Sequence, residues 1–192
     1  MCRLGLIFVF LPGLAAADGG PVSPYIIAPS IDGARISVTV EKGLRSSKRL
    51  RSAALRKARE DFHDGLQISA DAMRQLADAG AGLAAQRYVR VLEAAPEAKP
   101  SDLAYFSAVA VGTGRIWTLP TMVEAMAQLD PETEPRARIR KYIQVLYPHA
   151  WAGNPVALQA VIDFNGEGRL FGPLSERTRQ KILAEAREQA IG

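Results

Sequence analysis

Apolar residues recur three and four positions apart through most of this chain, the spacing that gathers them on one side of an α-helix. From Ser69 onward the pattern predicts an almost wholly helical region. Ser69 stands as an N-cap, with Met73, Leu76 and Ala77 on one stripe after it. The next helix is predicted over Leu83 to Ala94, with Ala84, Tyr88, Val91 and Leu92 at helical spacing. Pro96 and Pro100 bracket a loop before a helix from Ser101 through Val111. Thr121-Met122-Val123-Glu124 has the spelling of a capping box, in which a hydroxyl accepts from the third amide and the glutamate reaches back. Arg136 to Tyr147 points Ile139, Ile143 and Leu146 inward, and Pro148 is expected to interrupt that helix. Pro155 opens a helix to Asn165, and Ser175 caps a terminal one from Glu176 to about Ala190. These seven helices, joined by short loops, predict an all-α fold of stacked antiparallel helical hairpins.

Before Ser69 the pattern changes. Leu44 to Phe62 is strongly helix-forming, with Leu50, Ala54, Ala58 and Phe62 four apart on one side. Ala34 to Glu41 alternates branched and polar residues as a short strand would, either an edge addition or an extended arm. Asp18 to Ser30 is rich in Gly, Pro and Ser. At the start, Arg3 precedes an apolar stretch from Leu4 to Leu14, then Ala15-Ala16-Ala17 and the polar Asp18. That stretch is too short for a membrane span and predicts a signal peptide, hence a periplasmic or secreted protein. The expected division is a signal peptide over 1–17, a flexible or extended arm over 18–43, a basic helix or linker over 44–68 and a helical-repeat domain over 69–192.

Composition narrows the chemistry. The one cysteine, Cys2, lies in the signal segment, so the mature chain would have no disulfide, thiolate metal site or cysteine nucleophile. Positive charge is local: Lys42, Arg45, Lys48, Arg49, Arg51, Arg56, Lys57 and Arg59 stand against Glu41 and Glu60. Such a block could meet an anionic surface of lipid headgroups or acidic glycans, or be a solvated helix. Nucleic acid is not an expected partner of a secreted chain.

Three Gly-x-Gly triplets punctuate the helices: Gly80-Ala81-Gly82, Gly112-Thr113-Gly114 and Gly166-Glu167-Gly168. Glycines between helices supply positive-φ residues that end one helix and turn the chain into the next. The last two triplets continue alike, with Arg115 and Trp117 in one and Arg169 and Phe171 in the other. Each ring could plug the gap between helix pairs or join its arginine in a binding surface; packing is the expected role.

The run Ala150-Trp151-Ala152-Gly153-Asn154-Pro155-Val156-Ala157, followed by Phe164-Asn165-Gly166-Glu167-Gly168, resembles the Sel-one-like subfamily of tetratricopeptide-like repeats. Leu76 to Gly80 with Ala84 resembles the join between its repeats, and Ala104 to Gly114 the turn half of another unit. Arg115 and Arg169 replace the usual valine, and the triplets do not share one period. Over about residues 69–190 the resemblance implies a curved α-solenoid whose concave face binds proteins or peptides.

No enzyme motif accompanies these features. His63 and His149 stand alone, and the glycine triplets lack both the preceding strand and the following residues of a nucleotide loop. Asp163 with Glu167, or Asp61 with Asp64, could serve glycan hydrolysis across a groove, though solvated helix ends commonly carry such residues. The reading is a non-catalytic protein-interaction module without cofactor or metal, with Arg115, Trp117, Tyr147, His149, Trp151, Arg169 and Phe171 as candidate contacts. The alternatives are an envelope glycan enzyme and an anionic-surface binder.

Overall fold

The computed structural model describes Val38, residues 40–166 and residues 168–172. The signal segment, most of the expected strand, Glu167 and the helix expected after Ser175 lie outside the described residues. Among the described residues there are seven α-helices and no strand: α1 (Ala53–His63), α2 (Ala70–Asp78), α3 (Gly82–Glu93), α4 (Pro100–Gly112), α5 (Leu119–Met126), α6 (Arg136–Trp151) and α7 (Pro155–Phe164). The chain is all-α there.

Helix starts obey local chemistry. The Ser52, Ser69 and Asn154 side chains accept from amides of the first turn, and Pro100 and Pro155 occupy first-turn positions where a missing N–H is harmless. Helix ends use one device four times. After α1, α2, α4 and α6, the residue past the cap is Gly65, Gly80, Gly114 or Gly153, each with positive φ. At each, the glycine N–H and the next N–H turn back onto the last carbonyls, as in Gly80 to Ala77 at 2.8 Å and Ala81 to Leu76 at 2.9 Å. The recurring unit is thus a single glycine rather than a triplet.

Gly82 and Gly112 are corrections to the predicted turns, since neither has positive φ and both lie within helices. Gly82 is there for closeness. A Cβ on it would stand 1.9 Å from Thr113 Oγ1 and 2.7 Å from Thr113 Cβ, so the start of α3 packs directly on the end of α4.

Other predictions change for physical reasons. The basic helix begins only at Ala53: Ser52 caps it, a 3₁₀ turn over Ser47–Arg49 precedes it, and Ala54 faces solvent while Leu50 is buried. In α3, Ala85 and Val89 face inward and Val91 faces out. Thr121 forms no capping box because α5 starts at Leu119; its hydroxyl donates to Glu93 instead, at 2.8 Å. Pro148 does not interrupt α6. Tyr147 through Ala150 are buried, and the Pro148 carbonyl accepts from Ala152, so tertiary packing carries the helix past the missing N–H.

Each helix from α1 to α4 packs on its successor, whereas α6 packs on α4 and α7, and α7 also reaches α5. α4 sits centrally and is apolar nearly all round, as a buried helix must be. The largest core cluster joins α4 to α7, including fully buried Leu119, Met122, Tyr142 and Phe171. A smaller one, Leu50, Phe62, Leu76 and Ala84, ties α1 to α2 and α3. At the start of α6, Arg138 donates to Asp102 at 2.9 Å and to Ser101, and the buried Tyr142 hydroxyl donates to Glu134 at 2.8 Å. The Arg138 contacts fix α6 against the first turn of α4.

Candidate functional site

α2, α4 and α6 border a groove of about 560 Å³, lined by Asp78, Tyr105, Val109, Arg138, Lys141 and Gln144 among others. The helix ends set its position. Gly112 is the last residue of α4, where a helix leaves its carbonyls without partners, and Gly80 follows the cap of α2.

The carbonyls of these two glycines are taken by a non-helical piece of the same chain. The Glu41 N–H donates to the Gly112 carbonyl at 2.8 Å and the Leu44 N–H to the Gly80 carbonyl at 2.9 Å. Gly43 sits between them at φ 56°, and a Cβ there would stand 2.6 Å from the Gly80 oxygen, so only glycine permits this approach. The Glu41 carboxylate accepts from Lys141 of α6 through both oxygens, at 2.5 and 2.6 Å. The segment is held by its backbone first and by one ion pair second.

Inside the groove, Asp78 is the last residue of α2, where the helix dipole disfavours a negative charge. Partial desolvation against the groove wall lifts its carboxyl above the ordinary value, with Arg74 and Arg138 pulling the other way. Tyr105 is raised too, by burial and then by the Asp78 charge. The Arg138 guanidinium lies 4.7 Å from the Tyr105 ring centroid, a cation–π contact that holds the ring as one wall. The groove therefore offers an acid, a phenol, an amide and two cations in a space open to solvent.

Sequence singled out other residues, and the structure scatters them. Phe171 is fully buried, with ring centroids 5.9 Å from Phe164 and 6.4 Å from Tyr147. Tyr147 is itself buried and edge-on to half-buried Trp151 at 5.7 Å. His149 is buried on the same helix, and burial pushes its pKa down to about 4, so it is neutral at pH 7. Trp117, by contrast, is 62% exposed, so the expectation that it plugs a gap between helices is corrected. Arg115 donates to the Thr113 carbonyl of its own turn at 2.9 Å, while Arg169 is exposed. The two Arg-x-aromatic turns are not equivalent.

The basic block divides in the same way. Arg56 donates to the Leu50 carbonyl at 2.7 Å and Arg59 to Ser47 at 2.9 Å, so both fasten the 3₁₀ turn onto α1. Lys42, Arg45, Lys48, Arg49, Arg51 and Lys57 face solvent, with Lys57 paired to Asp61. Asp163 is exposed and accepts from Gln159 at 2.8 Å. Among the described residues no three His, Cys, Asp or Glu side chains converge to hold a metal ion, and no helix is long and apolar enough to cross a membrane.

Sequence reasoning passed over Glu41, Asp78, Tyr105, Arg138 and Lys141. An aspartate two residues before a helix-ending glycine was the visible signal, because the dipole argues against it there. The chain matches no family model, no curated protein and no solved structure.

Proposed function

We propose that this protein is a non-catalytic interaction module, a short stack of helical hairpins whose groove on α2, α4 and α6 binds an extended segment of a protein partner. The observation that carries the reading is the segment from Val40 to Leu44, which the groove edge already holds by backbone hydrogen bonds and the Glu41–Lys141 pair. Recognition through main-chain bonds, with side-chain pockets adding specificity, is a general way to bind extended peptides.

The packing of the helices supports the solenoid part. With α2/α3, α4/α5 and α6/α7 as hairpins, first helices meet first helices (α2 with α4, α4 with α6), and α5 meets α7. Stacked hairpins have that neighbour pattern, and the groove then lies on the face made by the first helices. The resemblance to Sel-one-like repeats points to the same arrangement, and the signal-like start to the periplasm or the exterior as the place of action.

The test is capture from envelope extract at moderate salt by the tagged full chain, beside an Asp78→Lys variant. Asp78 is at an exposed helix end, so the substitution leaves the core alone. The reading expects a discrete protein retained by the wild type and reduced at least about tenfold by the variant, a change of about 1.4 kcal/mol. Equal retention by both would place binding elsewhere, and no retained protein would remove the support for an interaction module.

A further inference from the structure

Trp117 belongs to a second concavity that shares no lining residue with the groove on α2, α4 and α6. It is a shallow pocket of about 360 Å³ bordered by Gln86, Val89, Arg90 and Glu93 of α3 and by Trp117, Thr118 and Thr121. A single exposed aromatic is ordinary on a protein surface. What sets Trp117 apart is its company. Gln86, Arg90 and Glu93 fall four and three residues apart, which places an amide, a guanidinium and a carboxylate in one row along α3. All three are planar groups able to make paired hydrogen bonds. Glu93 is already oriented by the Thr121 hydroxyl, and buried Val89 forms the floor.

We propose that this pocket binds an oligosaccharide, with the Trp117 indole as the platform for one sugar ring. A pyranose has an apolar face of C–H groups and a rim of adjacent hydroxyls. The face suits an exposed indole, and the rim suits a row of planar donors and acceptors beside it. Other ligand chemistries fit less well. Arg90 and Glu93 balance in charge, so the pocket has no attraction for a polyanion. Trp117 is the one aromatic in its lining, so it cannot form the cage that holds a quaternary ammonium group. Binding is expected to be weak, roughly millimolar, because a shallow open site buries little of each sugar ring.

The chain has two tryptophans, so fluorine NMR of the full protein labelled with fluorotryptophan gives two signals, assigned by Trp117→Phe. The probes are the β-linked tetrasaccharides of glucose and of N-acetylglucosamine, with a neutral proline-rich decapeptide as the competing occupant. The proposal expects the Trp117 signal to shift saturably with at least one tetrasaccharide while the Trp151 signal stays in place. Gln86→Ala, at a half-buried position of α3, and Arg90→Ala, at an exposed one, should each weaken that binding about tenfold. The proposal is overturned if neither sugar moves the Trp117 signal up to about 20 mM, or if the decapeptide alone moves it. It is equally overturned if the shift survives in the Gln86→Ala/Arg90→Ala double variant.

Discussion

The turns at 112–117 and 166–171 share the spelling Gly-x-Gly-Arg-x-aromatic, yet they put their rings in opposite places. After Gly114 the chain enters a 3₁₀ turn and then α5 without delay, so Ile116, Thr118 and Leu119 face inward and Trp117 is left outside. After Gly168 the chain instead folds back on the end of α7. The Phe171 N–H donates to the Phe164 carbonyl at 3.0 Å, and the ring drops into the core beside Leu170. The path the chain takes on leaving a turn decides where the turn's side chains go. Trp117 is therefore free to meet a ligand, whereas Phe171 is committed to the fold.

That contrast has measurable consequences, the largest at Phe171. Phe171→Ala should cost roughly 3–5 kcal/mol of stability in urea unfolding, since it empties a fully buried site. Trp117→Ala should stay within about 0.5 kcal/mol of the wild type. Comparable losses at both positions would dissolve the distinction.

His149 tests the buried side of the comparison through pH. Its pKa is lowered in the folded state, so as pH falls below about 6.5 the unfolded chain takes up the proton first. Stability should decline between pH 6.5 and about 4, by up to about 3 kcal/mol, and then level off with respect to this group. His149→Gln should flatten that part of the profile, whereas an unchanged profile would mean His149 is not buried as described.

A smaller effect is expected at Gly82. Gly82→Ala should cost about 1–3 kcal/mol through overlap with Thr113, and Thr113→Ala in the same chain should recover part of it. Simple additivity in that cycle would place the two residues apart. The Glu41–Lys141 pair should matter least to stability. Both side chains are partly exposed, so a double-mutant cycle should give under about 1 kcal/mol and less in high salt. A larger coupling would mean the segment from Val40 to Leu44 is integral to the core.

Much of the fold was legible because it rests on local chemistry. Ser69 as a cap, and Ile139, Ile143 and Leu146 as the inner stripe of α6, depend on residues a few positions apart. Pro148 and Thr121 misled because tertiary contacts outweighed the local signal: burial carried α6 past the proline, and Glu93, 28 positions away, took the hydroxyl. The groove was harder still to foresee. Lys141 meets Glu41 across 100 positions and Arg138 meets Asp102 across 36, and no periodicity encodes such pairings. The row on α3 that faces Trp117 could have been found, because its spacing was there to read from Gln86 to Glu93.

The most direct measurement of the central claim is a photo-crosslinking comparison in the full chain exposed to envelope extract. Benzoylphenylalanine would replace Gln144, in the groove and facing solvent, or Gln159, exposed on α7. An extended partner in the groove predicts a discrete adduct from position 144 that is absent from position 159. Adducts of equal yield from both positions, or none from 144, would contradict it.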